Sequence, residues 1–503
     1  MRFIRPTSLL ALAAGLAWAG CLVDFGSPGT NHNDAGPGAD AAPRCGDGVL
    51  NAGEVCDGTL LGGSSCVDLG YESGTLDCDG WCQHDESACV AAPVCGDGVR
   101  DGTELCDDGD AIEWDGCTGC VITEFRVNPA TAGNQVQPAL IPLDEGFLAV
   151  WSDDISGSRL LAQRFDSFAT ADGTPCLVST TATMNGEVNR APAAAKLSDG
   201  SFVVVWIRES VAEQRVVGRL FDSLSEPIGV LFDVSDYAPE GDDSPSVAAT
   251  AGGGFVAAWR SVQSGTGRIL MRRFAFDAVP LAASVRADEV VPTEPFDPRV
   301  AVASGGSFLV VWTDEGSAGA SYVNGHHLLA DGTPNGAVFP VPDGGPGWHA
   351  SPDVAATPSG GFVVVWAALL APATGSWDIF LRRFDETGAP VEQDKLVNAE
   401  LAADQLRPAV AVGPTGVLVA WETQVGADWD LAARVLDFSG VAQSVELTTH
   451  VHLEGWQTSA AVTTTSLGNH FVVAWQSDLQ DGSLWGVYAQ RFTTDGSPLG
   501  VGQ

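Results

Sequence analysis

Residues able to do chemistry are unevenly spread along this 503-residue chain. No His-Glu-x-x-His pair sets two imidazoles and a carboxylate on one helix face for zinc. No glycine-rich phosphate loop ends in Lys-Ser or Lys-Thr, and no Gly-x-Ser-x-Gly elbow presents a nucleophile. The eight histidines are scattered. His450 and His452 share a strand face, yet they offer two ligands where a zinc site takes three or four. His326 and His327 read as ordinary surface positions. Asp107, Asp108, Asp110 and Asp115 crowd one glycine-containing segment, and clustered carboxylates of this kind can wrap calcium with oxygen ligands. The plainer reading is a solvated acidic turn, since the full twelve-residue calcium-loop pattern is missing. No other cofactor is implied. The remaining signal is aromatic. Trp348, Trp377, Trp429, Trp456 and Trp485 are amphipathic side chains that could stack on a sugar ring or anchor a protein partner. They could equally open strands and pack inside the fold.

What positions those five is a different set of tryptophans. Trp151, Trp206, Trp259, Trp312, Trp366, Trp421 and Trp475 return at intervals of 53 to 55 residues. Each closes an apolar, β-branched run such as Ser201-Phe-Val-Val-Val-Trp206 or Gly361-Phe-Val-Val-Val-Trp366. A run of that kind reads as a strand buried on both faces. Around it each repeat offers three more strand-like runs. Pro138, Pro192, Pro245, Pro298, Pro352 and Pro408 open the first, where a missing N–H costs no ladder bond. The third carries a recurring arginine, at 164, 219, 273, 383, 434 and 491, with His327 in its place in the fourth repeat. These arginines are expected to bond carboxylates or carbonyls of neighbouring units.

Four short strands per unit, seven units and almost no helical periodicity predict a seven-bladed β-propeller over residues 121–503. Tandem sandwiches need about 100 residues each, so the period is too short for them. An open β-solenoid is the alternative, and the chain ends discriminate. The last repeat stops at Gly496-Ser-Pro-Leu-Gly-Val-Gly-Gln503, before its fourth strand. Thr123-Glu-Phe-Arg-Val-Asn128, ahead of the first repeat, supplies a matching strand; Lys395-Leu-Val-Asn398 is the intact counterpart. The expectation is therefore a closed ring. In such a meander Trp377, Trp429 and Trp485 fall between second and third strands. Trp348 and Trp456 fall ahead of first strands, so all five belong to one face.

The N-terminal portion follows other rules. Residues 1–20 have a basic start, Arg2 and Arg5, and a short apolar stretch, Leu9 to Ala19. That reads as an export signal rather than a spanning helix. It ends Ala17-Trp18-Ala19-Gly20-Cys21, which resembles the lipobox of bacterial lipoproteins, with Trp18 where leucine is usual. The resemblance implies lipidation of Cys21 and anchoring to a membrane, the outer membrane or cell surface. Residues 21–44 are rich in Gly, Pro, Ala and Asp and read as a flexible tether. Ten cysteines follow within 76 residues: Cys45, Cys56, Cys66, Cys78, Cys82 and Cys89 in a module over 45–89, and Cys95, Cys106, Cys117 and Cys120 in one over 90–120. In an exported chain this clustering reads as disulfides of undetermined connectivity. Cys45-Gly-Asp-Gly-Val and Cys95-Gly-Asp-Gly-Val open the two modules, and the second runs on through Asp107-Asp-Gly-Asp to Cys117-Thr-Gly-Cys120. This resembles the Myxococcus cysteine-rich repeat, a disulfide module of predicted surface proteins. Cys176 stands without an apparent partner.

Charge excludes one partner class. Against 64 acidic residues stand 24 lysines and arginines, a formal charge of −40, and nucleic acid needs the opposite balance. The sequence reading is thus a non-enzymatic, lipid-anchored surface protein whose propeller presents a binding face for glycan or protein. A propeller hydrolase or lyase acting on extracellular polysaccharide is the alternative from another class, and a purely structural envelope component is a third. Oligomeric state is not legible in the sequence.

Overall fold

The computed structural model describes residues 45–90, 107, 115–118 and 121–500, apart from short stretches at 156, 180–185, 212, 237–240, 289–293, 317–319, 345–346, 371–374 and 466–469. The expected signal segment, Cys21, the tether, Cys95, Cys106, Cys120, Asp108 and Asp110 lie outside the described residues. The chain divides into two compact units, Met1–Ala92 and Pro93–Gln503.

The first unit has sulfur for a core. Its six expected cysteines pair as Cys45–Cys82, Cys56–Cys78 and Cys66–Cys89. Cys56, Cys66 and Cys82 are buried together with Leu76. Two minimal ladders, Ser73–Gly74 with Cys89–Val90 and Asp77–Cys78 with His84–Asp85, end at bridged cysteines. The buried Asp57 carboxylate accepts the Gly46 and Val49 amides at 2.7 and 3.3 Å and ties down the opening loop. A unit this small cannot hold itself by apolar burial alone, so cross-links carry it.

The second unit is the seven-bladed propeller. Gln135–Pro142, Phe147–Asp153, Arg159–Phe165 and Ala171–Leu177 form the first four-stranded antiparallel blade, in sequential order. Five more blades repeat it over 188–233, 241–286, 294–340, 348–396 and 405–448. The first strand of every blade lines a central channel. The second strand is the most deeply buried, along its full length in Phe147–Asp153 and Phe362–Leu369. A glycine ahead of it is required by close approach. In blades three, five and six a Cβ on Gly254, Gly361 or Gly416 would strike the carbonyl ending the third strand.

The seven periodic tryptophans are all at most 1% exposed. Each wedges against the preceding blade. Trp206 packs with Ile141, Leu148 and Val150 of blade one, and Trp475 with Leu418, Ala420 and Leu431 of blade six. Trp151 packs against Val472, Ala474 and Val487 of blade seven, which closes the circle. Where the indole meets a polar neighbour it donates, to Asn189 from Trp206 at 2.8 Å and to Gln405 from Trp421 at 2.7 Å.

Closure occurs as the ends predict. The seventh blade holds Gln457–Thr464, His470–Asp478 and Trp485–Thr493, and its outer strand is Val121–Arg126 from the far end of the propeller. Pro498–Leu499 shares the same edge lower down. Phe125 and Val127 enter the interface core. Asn128 Oδ1 accepts the Val487 amide at 2.6 Å, the bond Asn398 makes to Ile379 in blade five at 2.7 Å. Glu124 is buried and accepts the amides of Val451 and His452 and the Gln480 side chain at 2.9–3.0 Å. A further strand, Asp115–Thr118, flanks Val121–Arg126 and contains the buried, disulfide-bonded Cys117.

Three expectations need correction. The prolines do not open the first strands. Pro138 lies inside Gln135–Pro142, where the pairing register shifts between Val136 and Ala139. The bulge residue is left-handed in every blade, ahead of a proline in six and of Ala460 in the seventh: Gln137, Ala191, Ser244, Asp297, Ser351, Arg407 and Ser459 have φ between 46° and 59°. A bulge at the channel-facing edge needs no proline N–H. The recurring arginines, secondly, fall into two registers pointing to opposite faces of the blade. Arg219 and Arg434 reach back to the Val178 and Val397 carbonyls of the preceding blade; Arg272 and Arg382, one residue off the predicted positions, do likewise. Arg164, Arg273 and Arg491 instead reach turn carbonyls of the following blade. Thirdly, His326 and His327 are buried, and His326 Nδ1 meets the Ala287 carbonyl at 2.6 Å in the backward-reaching place.

Candidate functional site

The bulge ring builds the upper mouth of the channel. In three blades the residue that follows a framework tryptophan accepts the bulge amide of the next blade, and the Ala191 amide is accepted by Gln137 Oε1 at 2.8 Å. Gln476 Oε1 accepts the Gln137 amide at 3.1 Å, Thr313 Oγ1 the Ser351 amide at 3.1 Å, and Glu422 Oε1 the Ser459 amide at 2.9 Å. A left-handed non-glycine residue costs roughly 1–3 kcal/mol and persists only where its surroundings over-determine it. These cross-blade bonds do so, together with the proline that follows the bulge residue in six of the seven blades.

Three of the five aperiodic tryptophans meet beside this mouth. Trp429 is the second residue of Asp428–Leu436, Trp485 opens its strand in blade seven, and Trp456 directly precedes Gln457–Thr464. They line a cleft of about 520 Å³ between blades six and seven, together with Leu406, Arg407, Thr458, Ser459 and Gln476. Trp456 is 44% exposed, and its Nε1 donates to Asp428 Oδ1 at 3.1 Å, which fixes the ring. Glu422 is fully buried beneath and accepts Arg407 Nη1 at 2.7 Å. A second hollow of about 470 Å³ shares Ser459, Gln476 and Trp485 and continues over Gln137, Asp153, Asn189 and Arg190 of blades one and two. The arrangement offers flat apolar faces at graded exposure, ringed by amide, hydroxyl and guanidinium groups.

The other two aperiodic tryptophans do not join them. Trp377 is half-buried, packs on the core between blades five and six, and spends its backbone on Asp404 and Gln405 at 2.9 and 2.8 Å. Trp348 opens Trp348–Ala356 in blade five, away from the cleft lining. The sequence overlooked Arg407, Glu422 and Gln476. Their signal was a charged or amide side chain directly after a buried tryptophan, and an arginine ahead of a repeat proline.

The central channel, about 540 Å³, carries Asp297, Arg299 and Asp353. Burial pushes Asp353 up, while Arg299 at 4.0 Å and the Val410 amide at 2.9 Å pull it down. His450 and His452 form no metal pair. His450 Nε2 accepts the Leu431 amide at 3.3 Å, its Nδ1 meets the His452 carbonyl at 2.6 Å, and burial lowers its pKa. Among the described residues no group of three or more His, Cys, Asp or Glu could hold a metal. Of the four carboxylates expected to bind calcium, Asp107 alone has a described side chain, so that site lies outside the described residues. Cys176 is the free cysteine among the described residues, and burial pushes its thiol up, which makes it a poor nucleophile. No described helix is long and apolar enough to cross a membrane.

No family model matches the chain, and no curated protein matches it. Solved structures match the fold. One is a protein of unknown function from Dyadobacter fermentans, 12% identical, with a TM-score of 0.44 over 59% of this chain and 93% of that one. A Hadza microbial sialidase is 8% identical, with a TM-score of 0.43 over 73% and 68%. An α-L-arabinanase from Penicillium chrysogenum is 11% identical, with a TM-score of 0.39 over 73% and 97%. The expectation of a non-enzymatic chain is corrected here, because the propellers it is similar to are mostly those of glycoside hydrolases. At such identity the likeness extends to the fold alone, and no substrate or catalytic residue is transferred from it.

Proposed function

We propose that this chain is an exported, lipid-anchored envelope protein whose propeller recognises glycan at the cleft between blades six and seven. The convergence of Trp429, Trp456 and Trp485 carries the reading. Indole faces stack on the apolar face of a pyranose, and the surrounding Arg407, Gln476, Thr458 and Ser459 supply donors and acceptors for its hydroxyls. Sidedness supports it too, since the adjoining hollow extends the groove across blades seven, one and two, enough for more than one sugar unit. The basic and apolar leader, the lipobox-like Ala19-Gly20-Cys21 and the cysteine-rich modules support export, an anchor at Cys21 and display at the outer membrane or cell surface. The formed disulfides suit an oxidising compartment.

The test is a titration of the full chain against a panel of neutral and acidic oligosaccharides, followed by tryptophan fluorescence, with reducing ends measured in parallel. Binding that quenches tryptophan emission and is lost in Trp456→Ala and Trp429→Ala, with folding retained, supports the reading. New reducing ends would make the cleft a place of cleavage as well as recognition. If no saccharide binds, or if both variants bind as the parent does, the proposal fails.

A further inference from the structure

One charged side chain lines the cleft, while the Asp428 carboxylate holds the edge of Trp456 from outside that lining, and the role of the lining charge rests on the glycan reading. Among the described residues lining the cleft, Arg407 is the one that carries charge. Its side chain is 65% exposed, whereas that of its partner Glu422 is 1% exposed. Both Glu422 oxygens are taken, Oε2 by Arg407 Nη1 at 2.7 Å and Oε1 by the Ser459 amide at 2.9 Å. The carboxylate therefore fixes the guanidinium from below and turns no charge toward the cleft. A guanidinium has five N–H donors in a planar fork, and one bond from Nη1 to Glu422 leaves further donors for a ligand in the cleft. The backbone beneath is equally fixed, left-handed at φ 46° and followed by Pro408.

We propose that the cleft selects acidic sugars: Arg407 takes an anionic group on a pyranose in a bidentate clasp while the ring stacks on the tryptophans. A planar hexuronate carboxylate matches the fork, and a sulfate ester presents the same charge chemistry. The chain's net charge of −40 opposes such a ligand at long range. Screening acts over about 8 Å at physiological salt, so the short-range clasp decides there, and the preference weakens as salt is lowered.

The experiment is calorimetric titration of the full chain, at about 0.15 M salt, with an oligogalacturonate, its methyl ester and a sulfated galactan oligosaccharide. A charge-assisted clasp corresponds to roughly a tenfold or greater preference for acid over ester. Arg407→Gln should abolish the preference by lowering acid affinity about tenfold more than ester affinity, and Arg407→Lys should retain part of it, because a point charge replaces the fork. Tighter binding of the sulfated ligand supports the clasp and names sulfate as its source. Equal binding of acid and ester by the parent, or equal loss of both in Arg407→Gln, overturns the clasp and leaves the glycan reading standing. Should Arg407→Gln not fold, the parent's acid-to-ester ratio and Arg407→Lys still decide. Failure of every saccharide to bind removes both proposals.

Discussion

Trp475 and Trp485 stand ten residues apart on neighbouring strands of one blade, yet they belong to different regions. Trp475 is fully buried in the wall between blades six and seven, among Leu418, Ala420 and Tyr488. Trp485 is half-buried at the strand's upper end and faces the cleft. The first recurs in every blade because every blade has the same neighbour to pack against. The second has counterparts in blades five and six alone, and only Trp485 and its blade-six counterpart Trp429 line the cleft. Periodicity marks what holds the ring together, and departure from it marks what the ring displays.

The contrast between wall and cleft breaks most sharply in the wall. Trp475→Ala should cost about 3–5 kcal/mol in denaturant unfolding, by lost burial and the cavity left behind. Phe125→Ala should cost a similar amount, since it opens the interface at which the ring closes. A loss below about 1 kcal/mol for either would mean that these interfaces do not carry the fold.

Next in size is a charge buried in the wall. Asp242 is fully buried on the first strand of blade three, and burial pushes it up to about 6 against Ser261, Ser235 and Arg215, which hold it down. A carboxyl with a raised folded pKa is neutral in both states below about pH 4, so it exerts no effect there. Between about pH 4 and 6 the unfolded chain ionises first, and stability falls to a plateau above 6. Asp242→Asn should therefore stabilise by about 2–3 kcal/mol at pH 7 and by nothing at pH 4. Equal effects at both pH values would show that the carboxyl is not strained by burial.

The smallest expected change in stability belongs to the cleft. Trp456→Ala should lower stability by less than about 1 kcal/mol, because the residue is 44% exposed and lies outside the buried core between the blades. Its effect on saccharide affinity should still reach about tenfold, as stacking is lost. A large loss of stability with affinity retained would move Trp456 into the wall and erase the distinction.

Much of this was legible in the chain. The tryptophan period, the β-branched runs and the displaced strand ending in Asn128 determined blade number and closure, because each is a local pattern repeated under one packing constraint. The clustered cysteines determined where cross-links hold the chain, but their pairing in the first module needed three dimensions. So did the bulge ring: a proline shows where a ladder bond is dispensable, and only the channel edge explains why. The arginines misled for a related reason, since a shift of one residue turns a strand side chain to the other face. Above all, sequence could place five tryptophans on one face, but only tertiary structure sorted Trp429, Trp456 and Trp485 from Trp348 and Trp377. Their meeting with Arg407 depends on how two blades abut, and that contact joins residues up to 78 positions apart.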